Sequence, residues 1–476
     1  MKLAALLQEV EHLAISGPLE REIREITCDS RSTRSGGLFV AIQGSKHDGH
    51  DHLPEAIARG AVAAVGERAL SPNGITYVRV PDSRRALAEL AAAFYGHPTE
   101  KLFTVGVTGT KGKTTVAHLA QSVLGEEETE ISSTITNNLK RALANTTPNP
   151  LVIQEIARLA VEAQKGNLVL EVSAHGLSQE RVLGVDFDAA VFTNLSHDHL
   201  DYYGTVEDYL RAKLRLFEML RPSGTAIVNL DDPHGQRFIE ATRGEALTYG
   251  LRGRAMIRAA DLRLALAASR FLVRTPRGEL TIETALPGRF NVYNILAAIG
   301  VGLARGLSLS AIKEGIERVK HVEGRFERFR TRAGFDVVID FAHSPDALQK
   351  VLEALRPHYR RIVTVFGCGG ESDRAKRPLM GRISGRFSGW TIITSDNPKS
   401  EDQGAIIAEI EVGLKGRSAR YETIVERRAA IRRALALAEP GDVVLIAGKG
   451  HERTQVFADR EEEFNDRAFL QAEGVI

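Results

Sequence analysis

The chain has 476 residues, 43% hydrophobic and 26% charged, a composition typical of a globular protein with about three domains. Its formal net charge of +1 gives no reason to expect a nucleic acid or an anionic membrane as a partner. The two cysteines, Cys28 and Cys368, have neither zinc-site spacing nor the number of a disulfide framework, which favours the reducing cytoplasm. Residues 1–7 are apolar except for Lys2, but polar residues follow too early for a signal peptide or a membrane span, so an amphipathic surface helix is predicted.

Residues 1–98 have the pattern of one small α/β unit. Strands are predicted at 38–42 and 61–65, and helices at 55–60 and 84–95. Two polar clusters, 28–31 and 44–49, lie on loops flanking the first strand, where α/β domains bind small ligands. For either cluster alone, a plain turn is the simpler interpretation.

The second unit, residues 99–322, opens on a phosphate-binding pattern. An apolar strand at 102–105 is followed by Gly109-Thr110-Lys111-Gly112-Lys113-Thr114-Thr115 and then by a helix. A glycine turn before a helix lets backbone N–H groups and the positive helix end face a phosphate. Lys113 can reach the outer phosphates, and the Thr114 hydroxyl is placed to hold Mg²⁺. Val107 stands where the ordinary P-loop has its first glycine, but the strand and helix favour a phosphate site over a chance turn.

Two more predicted strands bring polar residues to the same edge of the sheet. The strand at 168–173 contains Glu171 near its end, and the strand at 189–194 leads into a set of possible metal ligands that includes His199. A carboxylate at the end of a parallel strand beside a P-loop strand is the usual partner of Mg²⁺. Open α/β sheets place their sites at the carboxyl ends of strands, so these groups are expected to lie together.

Two charged features of this unit have no role that the pattern alone reveals. Lys213 lies on a helix predicted at 206–220 and by itself would be interpreted as a solvated lysine. The acidic run at 125–130 is predicted to be a solvated loop.

The third unit, residues 323–476, has the pattern of a Rossmann-like domain. Strands are predicted at 335–340, 361–366, 390–394 and 442–447, each followed by a polar or glycine-rich turn. A P-loop, a carboxylate and a His/Asp cluster predict MgATP binding, and two further α/β units suggest two further ligands. Kinase and ligase chemistry both fit this arrangement. An ATP-dependent ligase makes an acyl phosphate, which an amine then attacks.

Several motifs are similar to those of the Mur ligases, which join an amino acid to a UDP-N-acetylmuramoyl peptide in peptidoglycan precursor synthesis. The matching stretches are 109–115, 171–177, 193–201, 291–294, 340–346 and 448–452, and the resemblance extends over nearly the whole chain. Val107 is what the P-loop variant of this family shows. Residues 29–31 and 396–398 resemble the member that adds the third residue of the stem peptide. The resemblance implies three α/β domains: UDP-sugar-binding at 1–98, ATP-binding with a mainly parallel sheet at 99–322, and amino-acid-binding, Rossmann-like, at 323–476.

The resemblance implies roles at the ATP site. Lys113, Glu171, His199 and Lys213 match the catalytic residues of the family. The matching nucleotide contacts are Gly109, Thr110, Lys111, Gly112, Lys113, Thr114, Thr115, Asn291, Asn294, Arg325, Asp340 and His343. The implied Mg²⁺ ligands are Thr114, Glu171, His199 and Lys213, the last as the carbamate (N6-carboxylysine) that the family forms with CO₂. A carbamate offers Mg²⁺ an oxygen ligand, whereas an ammonium repels the ion.

The resemblance also implies two substrate sites. The residues that match the UDP-N-acetylmuramoyl-peptide site are Cys28, Ser30, Ser45, Lys46, His47, Asn145, Thr146, Thr147, Ser173, Gln179 and Arg181. Those that match the amino-acid site are Ser372, Arg374, Asp396, Asn397, Pro398, Lys399, Gly448 and Glu452.

The chain departs from the family pattern in the amino-acid site. Family members that add meso-diaminopimelate have arginines at the positions of Ser372 and Lys399, and Arg374 is a candidate substitute for the first. Lysine does not replace arginine at a bidentate carboxylate site without loss. A cationic Lys399 would nevertheless attract a second carboxylate and repel the side-chain ammonium of L-lysine. We therefore expect meso-diaminopimelate to be added to the D-Glu of UDP-N-acetylmuramoyl-L-Ala-D-Glu, with L-lysine or another diamino acid as the alternative.

Two other interpretations fit parts of the sequence. A catalytically silent nucleotide sensor with this fold would not need the intact set Lys113, Glu171, His199 and Lys213. A polyglutamate-adding amide ligase shares the core chemistry, but would lack the N-terminal unit and the Asp396-Asn397-Pro398 run. The expected protein is thus a cytoplasmic, monomeric ligase that uses ATP and Mg²⁺, with a UDP-dipeptide and a diamino acid as substrates and no nucleic acid or membrane as partner.

Overall fold

The computed structural model describes residues 1–44, 47–141, 143, 145–196, 200–416 and 420–476. In that part of the chain, three large sheets with flanking helices form three α/β units. This confirms the expected fold class. A search of the described residues finds no helix with the length and apolarity needed to span a bilayer.

The N-terminal unit is built on a five-stranded sheet of order β1-β5-β4-β3-β2, parallel except for β1. Its strands are β1 (Ala14–Ser16), β2 (Glu25–Thr27), β3 (Gly37–Val40), β4 (Ala61–Gly66) and β5 (Thr76–Arg79). Its helices are α1 (Leu3–Leu6), α2 (Leu53–Ala58) and α3 (Ser83–Tyr95). The predicted amphipathic surface helix is the short α1: Leu3 and Leu6 are fully buried in the core of this unit, whereas Ala5 and the following Gln8 are exposed.

The central unit is built on a nine-stranded sheet of order β14-β13-β12-β11-β10-β9-β6-β8-β7. Its strands are β6 (Phe103–Thr108), β7 (Thr129–Ser132), β8 (Asn167–Glu171), β9 (Phe187–Phe192), β10 (Leu220–Asn229), β11 (Glu245–Gly250), β12 (Ile257–Arg263), β13 (Ser269–Thr275) and β14 (Gly278–Thr284). Its helices are α4 (Lys113–Leu124), α5 (Thr134–Arg141), α6 (Pro150–Glu162), α7 (Ala174–Ser178), α8 (Leu200–Tyr203), α9 (Val206–Glu218), α10 (Gly235–Glu240), α11 (Arg289–Ala304) and α12 (Leu309–Arg318).

The sheet of the central unit is parallel from β7 to β12 and continues antiparallel through β13 and β14. Helices α4, α11 and α12 cover one face, and α6, α7 and α9 cover the other. Strand β6 lies between β8 and β9, so its P-loop emerges between the ends of these two strands. The acidic run is not all loop: β7 begins at Thr129, and Glu130 pairs with Arg141 and Lys165.

The C-terminal unit has a six-stranded sheet of order β15-β16-β20-β17-β18-β19, parallel except for β15, and a small hairpin. Its strands are β15 (Glu327–Arg330), β16 (Asp336–Asp340), β17 (Ile362–Phe366), β18 (Trp390–Ile393), β19 (Tyr421–Thr423), β20 (Val443–Ala447), β21 (Thr454–Val456) and β22 (Glu461–Glu463). Its helices are α13 (Pro345–Leu355), α14 (Lys376–Phe387), α15 (Gln403–Glu411), α16 (Arg427–Leu437) and α17 (Asp466–Ala472). Because β20, β17 and β18 are neighbours, the loops after them meet at one edge.

Candidate active site

The P-loop is fixed in place by residues that follow β9. Gly109 has φ +143°, and a Cβ there would lie 1.9 Å from the Thr193 Oγ1, so only glycine fits. The Asn194 side chain accepts from the backbone N–H of Lys111 at 3.0 Å and donates to its carbonyl at 2.9 Å. The sequence pattern assigned no individual role to Thr193 and Asn194. Their position directly after β9, the strand next to β6, could have indicated that they contact the P-loop.

The phosphate-binding pattern is confirmed as strand, loop and helix. Helix α4 begins at Lys113, and its first backbone N–H groups lack intrahelical partners, as at any helix start. The Lys113 Nζ donates to the carbonyl oxygens of Gly109 and Thr110, each at 3.1 Å, so the cation lies over the loop. This arrangement combines backbone donors, the positive end of the helix dipole and a cation, which together suit an anionic phosphate.

Two buried side chains with hard oxygen atoms lie side by side under the P-loop. The Thr114 hydroxyl donates to the Glu171 Oε1 at 2.9 Å, and both side chains are buried. The other carboxylate oxygen, Oε2, accepts from the Thr134 backbone N–H at 2.7 Å and lies 3.0 Å from its hydroxyl. A hydroxyl and a carboxylate are hard ligands of the kind that Mg²⁺ prefers, so this pair fits the ion. The third predicted ligand, His199, lies outside the described residues.

Lys213 is not a solvated surface lysine. Its side chain is 1% exposed, and its Nζ donates to the Gly109 carbonyl at 3.0 Å. The Nζ also lies 4.2 Å from the centre of the Tyr209 ring. Helix α9 therefore brings this lysine to the same loop as Lys113, which the sequence pattern alone did not indicate.

The predicted nucleotide contacts of α4 and α11 meet at the P-loop. A Cβ on Gly112 would lie 2.5 Å from the Asn294 Oδ1, so the amide of Asn294 lies against the loop backbone. Asn294 donates to the Asn291 Oδ1 at 3.0 Å, and Asn291 donates to the Pro287 carbonyl at 2.8 Å. Thr115 is buried in the first turn of α4.

The predicted nucleotide contacts of the C-terminal unit lie on the loops around β16. The Arg325 guanidinium donates to the Thr114 hydroxyl at 3.1 Å and lies 4.5 Å from the centre of the Phe341 ring. The Asp340 carboxylate accepts from the Phe326 backbone N–H at 2.7 Å, and burial raises the pKa of Asp340 to about 6 despite the nearby Arg325 charge. The His343 Nδ1 lies 2.8 Å from the Phe341 carbonyl.

A cavity of about 220 Å³ lies between the N-terminal unit and the central unit. It is lined by four of the residues predicted to bind the UDP-peptide, Cys28, Asn145, Gln179 and Arg181. Arg84, at the start of α3, also lines it and was not predicted. Two guanidinium groups suit an anionic ligand, since arginine binds carboxylates and phosphates through paired N–H donors.

A hydrogen-bonded network runs from this cavity to Glu171, the predicted metal ligand. Arg181 donates to the Thr147 carbonyl and to the Gln179 side chain, both at 2.7 Å. The Thr147 hydroxyl lies 3.1 Å from the Ser173 hydroxyl and donates to the Glu171 carbonyl at 2.9 Å. The Thr146 hydroxyl lies 3.1 Å from that of Thr134, the residue that binds the Glu171 carboxylate.

Two further predicted residues of the UDP site, Ser30 and His47, have other partners. Ser30 is buried and donates to the Glu55 carboxylate at 2.6 Å. His47 is exposed, and its carbonyl accepts from the Gly44 backbone N–H at 2.9 Å. Ser45 and Lys46 lie outside the described residues.

The three loops predicted to bind the amino acid pack directly on one another. The Gly370 backbone N–H donates to the Asn397 carbonyl at 2.9 Å, and a Cβ on Gly370 would lie 1.9 Å from the Pro398 carbonyl. Gly448 has φ +114°, and a Cβ there would lie 2.4 Å from the Asp396 carboxylate. Larger residues at either glycine would force the loops apart.

Two of the predicted amino-acid contacts, Asn397 and Glu452, share a partner that was missed. Lys449 is fully buried and donates to the Asn397 Oδ1 at 2.9 Å and to the Glu452 Oε2 at 3.0 Å. The Asn397 Nδ2 donates to the same carboxylate oxygen at 2.8 Å. Lys399 lies next to this group with φ +51°, and its backbone N–H donates to the Val456 carbonyl at 3.0 Å.

Ser372, which stands at the position of a family arginine, and Arg374, its candidate substitute, have other partners. The Ser372 hydroxyl donates to the Gly369 carbonyl at 2.9 Å. Arg374 is exposed and forms its ion pair with Glu409 on α15, so it is not joined to the loop of Lys399. Arg377, which sequence reasoning did not single out, is fully buried between these loops and binds both Glu401 and the Gly369 carbonyl.

Comparison with known proteins gives the relationship of the chain. Three family models match successive parts of it: "Mur ligase family, catalytic domain" at residues 22–95, "Mur ligase middle domain" at 107–302, and "Mur ligase, glutamate ligase domain" at 324–450. The UDP-N-acetylmuramoyl-L-alanyl-D-glutamate--2,6-diaminopimelate ligase of Syntrophomonas wolfei is 43% identical, with 98% of each chain covered. The chain belongs to the Mur ligase family.

Other relatives and solved structures support the same family relationship for this Mur ligase. The protein of the same name from Geobacillus thermodenitrificans is 42% identical, with 99% of each chain covered. A solved structure of a UDP-N-acetylmuramoyl-L-alanyl-D-glutamate--2,6-diaminopimelate ligase matches with a TM-score of 0.69 at 31% identity, and both chains are covered completely. A Mycobacterium tuberculosis folylpolyglutamate synthase shares the fold at 18% identity, with a TM-score of 0.63 and coverage of 77% of this chain and 92% of the other.

Proposed function

We propose that this Mur ligase adds meso-diaminopimelate to the D-Glu of UDP-N-acetylmuramoyl-L-Ala-D-Glu, using ATP and releasing ADP and phosphate. The observation on which this mainly rests is full-length identity of 43% and 42% with ligases named for that reaction. The reaction belongs to cytoplasmic peptidoglycan precursor synthesis. We also propose domains at 1–98, 99–322 and 323–476, supported by the three separate sheets, and a monomeric enzyme.

The phosphate site supports the first half-reaction, transfer of the terminal phosphoryl group of ATP to a carboxylate. Lys113 and the start of α4 provide positive charge over the P-loop, where the phosphates would lie. Such fixed donors stabilise charge that develops during phosphoryl transfer. Thr114 and Glu171 would hold Mg²⁺, which when bound neutralises part of the phosphate charge.

The hydrogen-bonded network from Arg181 to Glu171 supports delivery of the D-Glu carboxylate to the phosphate site. Arg181 and Thr147 connect the cavity between the first two units to the backbone of Glu171. A carboxylate positioned along this network would lie beside the oxygen ligands for the metal. Holding two reacting groups in place is a large part of the catalysis in such a reaction.

We propose that Lys213 is carbamylated, as in the family that the chain belongs to. The buried Nζ beside the Gly109 carbonyl is held where an added carboxylate would reach the P-loop. In the step itself, the neutral amine forms an N–C bond to CO₂ and releases a proton. The product replaces a positive charge near the metal-binding pair with a negative one, which favours Mg²⁺.

The choice of amino acid rests on Lys399 together with the names of the relatives. Lys399 is a single cation at the place where the family uses arginine, so it attracts the distal carboxylate of meso-diaminopimelate as a point charge. L-Lysine, which ends in an ammonium instead, would be repelled. The charge attraction between Lys399 and this second carboxylate thus takes the place of the paired hydrogen bonds that an arginine would form.

An amino-acid panel tests the proposal. Purified enzyme is given ATP, Mg²⁺ and the UDP-dipeptide with meso-diaminopimelate, L-lysine or L-ornithine, and phosphate release and the UDP-tripeptide are measured. We expect the highest kcat/KM with meso-diaminopimelate. A clear preference for L-lysine would exclude the proposed role of Lys399, and no turnover with any of the three would exclude the ligase. Folate with glutamate serves as the control for the polyglutamate alternative, which rests on a likeness in fold.

A further inference from the structure

Lys449 lies at the centre of the amino-acid site but belongs to no predicted contact set. It follows β20 in the run Gly448–Glu452, and its side chain is 0% exposed. A lysine that is fully buried needs partners for its ammonium, because desolvation of an unpaired charge is costly. The three donors of Lys449 are therefore expected to be engaged within the loops.

The partners of Lys449 are the two polar residues that face the proposed substrate. Its Nζ donates to the Asn397 Oδ1 at 2.9 Å and to the Glu452 Oε2 at 3.0 Å. Asn397 in turn donates to the same Glu452 Oε2 at 2.8 Å. The three side chains form a closed triangle of hydrogen bonds, which fixes both the Asn397 amide and one carboxylate oxygen.

The triangle leaves one carboxylate oxygen available. Both donors bind Oε2 of Glu452, and within the part of the chain that the structure describes, Oε1 has no hydrogen-bond partner. The Glu452 side chain is 27% exposed, whereas Lys449 beneath it is 0% exposed. Glu452 thus presents Oε1 outward, where a cationic group can reach it.

Lys449 also connects the three loops of the site. Asn397, which it binds, lies after β18 and accepts from the Gly370 backbone N–H of the loop after β17 at 2.9 Å. The Asn397 Oδ1 additionally accepts from the Val456 backbone N–H at 3.1 Å. A change at Lys449 is therefore expected to alter the geometry of the amino-acid site before that of the distant P-loop.

We infer that Lys449 is a positioning residue of the amino-acid site: it holds Glu452 oriented, so that Oε1 binds the ammonium of the incoming diamino acid. The inference rests on the proposed function, in which Glu452 contacts that amino acid. It adds a residue that does not itself touch the substrate but determines how the substrate amine is held.

The charge balance of the pair agrees with this role. Burial and the Asp396 charge raise the pKa of the Glu452 carboxyl, and the adjacent Lys449 opposes that rise. Loss of the lysine charge would therefore favour the protonated carboxyl, which binds an ammonium poorly.

The test measures steady-state kinetics of Lys449→Met with each of the three substrates varied in turn. We expect the KM for meso-diaminopimelate to rise by about 10-fold or more, the loss typical of a hydrogen bond to a charged group. The KM values for ATP and the UDP-dipeptide should stay within about 2-fold, since the P-loop is not touched.

Two further variants separate positioning from loss of folding. Lys449→Arg keeps the charge and should restore part of the affinity. If Lys449→Met is too unstable, the comparison is made between Glu452→Gln and the double variant, in which both charges are gone. We expect Lys449→Met to raise the KM for meso-diaminopimelate much less in the Glu452→Gln background than in the wild type, because Lys449 acts mainly through Glu452. Lys350→Met, an equivalent change at an exposed pair with Asp346 on α13, is the matched control and should leave all three KM values unchanged.

The outcomes distinguish the inference from the proposed function. A wild-type enzyme that turns over meso-diaminopimelate, with Lys449→Met unchanged in KM or equally impaired for all three substrates, would overturn the inference alone. Additive effects in the double variant would overturn it as well. A wild-type enzyme inactive with every diamino acid would overturn the proposed function, and the inference with it.

Discussion

The Arg325 guanidinium donates to the Thr114 hydroxyl at 3.1 Å, a bond from the C-terminal unit to the first turn of the P-loop helix. The same hydroxyl donates to the Glu171 carboxylate at 2.9 Å. One threonine therefore joins Glu171, a predicted Mg²⁺ ligand, to a cation from another unit. The central and C-terminal units are thus in contact beside the P-loop.

This relationship predicts that Arg325 contributes to ATP binding. Arg325→Met removes a cation beside the phosphate site, so the KM for ATP should rise by about 10-fold or more. The KM for the UDP-dipeptide should change little, since its cavity lies between the other two units. Steady-state kinetics with each substrate varied separately measure this. Arg332→Met, exposed in the turn between β15 and β16, is the control. An unchanged KM for ATP in Arg325→Met would contradict the prediction.

Lys213 is predicted to be required as a carbamate. Lys213→Ala should lower ATP-dependent phosphate release by about 100-fold, as expected when a group that tunes a metal site is lost. Added formate or acetate should restore part of the activity, because a small carboxylate can occupy the vacated space.

A spectroscopic measurement gives a readout independent of activity. Wild-type protein equilibrated with ¹³C-bicarbonate should show a carbamate carbon signal by NMR, which Lys213→Ala lacks. Lys313→Ala, a change at an exposed lysine on α12, should retain the signal. Full activity of wild-type enzyme in CO₂-depleted buffer, without any signal, would argue against the carbamate.

Lys399 is predicted to determine the preference for a second carboxylate. Lys399→Met should lower kcat/KM for meso-diaminopimelate by about 10-fold while changing that for L-lysine far less. Lys399→Arg should raise the preference for meso-diaminopimelate, because the guanidinium binds a carboxylate through two N–H groups. The preference of the wild type should weaken with added salt, since a point charge near solvent is screened. Competition assays with both amino acids present measure the ratio, and Lys415→Met at an exposed position is the control. If the ratio of kcat/KM for meso-diaminopimelate to that for L-lysine is the same in Lys399→Met as in the wild type, Lys399 does not determine the preference.

Asp340 is predicted to make ATP binding pH-dependent. Burial raises the pKa of its carboxyl to about 6, so the group is protonated below that value and ionised above it. An ionised carboxylate is the better acceptor for nucleotide hydroxyls, so the affinity for ATP should increase as pH rises through about 6. The phosphates of ATP also titrate near pH 6, so the relevant quantity is the ratio of dissociation constants of Asp340→Asn and wild type. Calorimetric titration from pH 5 to 8 should show this ratio growing with pH, and a constant ratio would contradict the assignment.

The sequence pattern was sufficient where the chemistry is local. The P-loop and Glu171 lie in short runs whose strand, turn and helix can be recognised without tertiary contacts. Lys213 could not be recognised in the same way, because only the packing of α9 shows that it contacts Gly109, 104 positions away. The resemblance to the Mur ligases predicted a role for Lys213, whereas the helix pattern did not.

The missed residues have their partners far along the chain. Asn194 binds Lys111 across 83 positions, and Lys449 binds Asn397 across 52. No periodicity links such pairs, since their proximity depends on the order of strands in the sheet. The antiparallel strands β13 and β14 were not predicted for a related reason. They lie in a long stretch between two motifs, and that stretch contains no recognisable motif of its own.

The buried Arg377 gives the last prediction, which concerns stability. Its guanidinium is 0% exposed, binds the Glu401 carboxylate through two N–H groups at 2.9 and 3.0 Å, and also binds Glu409 at 2.9 Å. Arg377→Met should therefore destabilise the C-terminal unit by about 3 kcal/mol, the lower end of the range for breaking a buried pair, because water reaches both glutamates. For a unit of this size, that is a decrease in melting temperature of roughly 6–12 °C.

The pH dependence of the same variant identifies the cause. Hydrogen bonds from Arg377 lower the pKa of Glu401 to about 2, compared with about 4.3 in an unfolded chain. A carboxyl whose pKa is lower in the folded state stabilises it above the unfolded pKa and loses that contribution as pH falls. The melting temperatures of wild type and Arg377→Met should therefore differ most near neutral pH and converge between about pH 4.3 and 2. Differential scanning calorimetry measures both curves, with Arg386→Met at the end of α14 as the control. A difference that stays constant down to the lowest pH would show that lost packing, not the ion pair, explains the destabilisation.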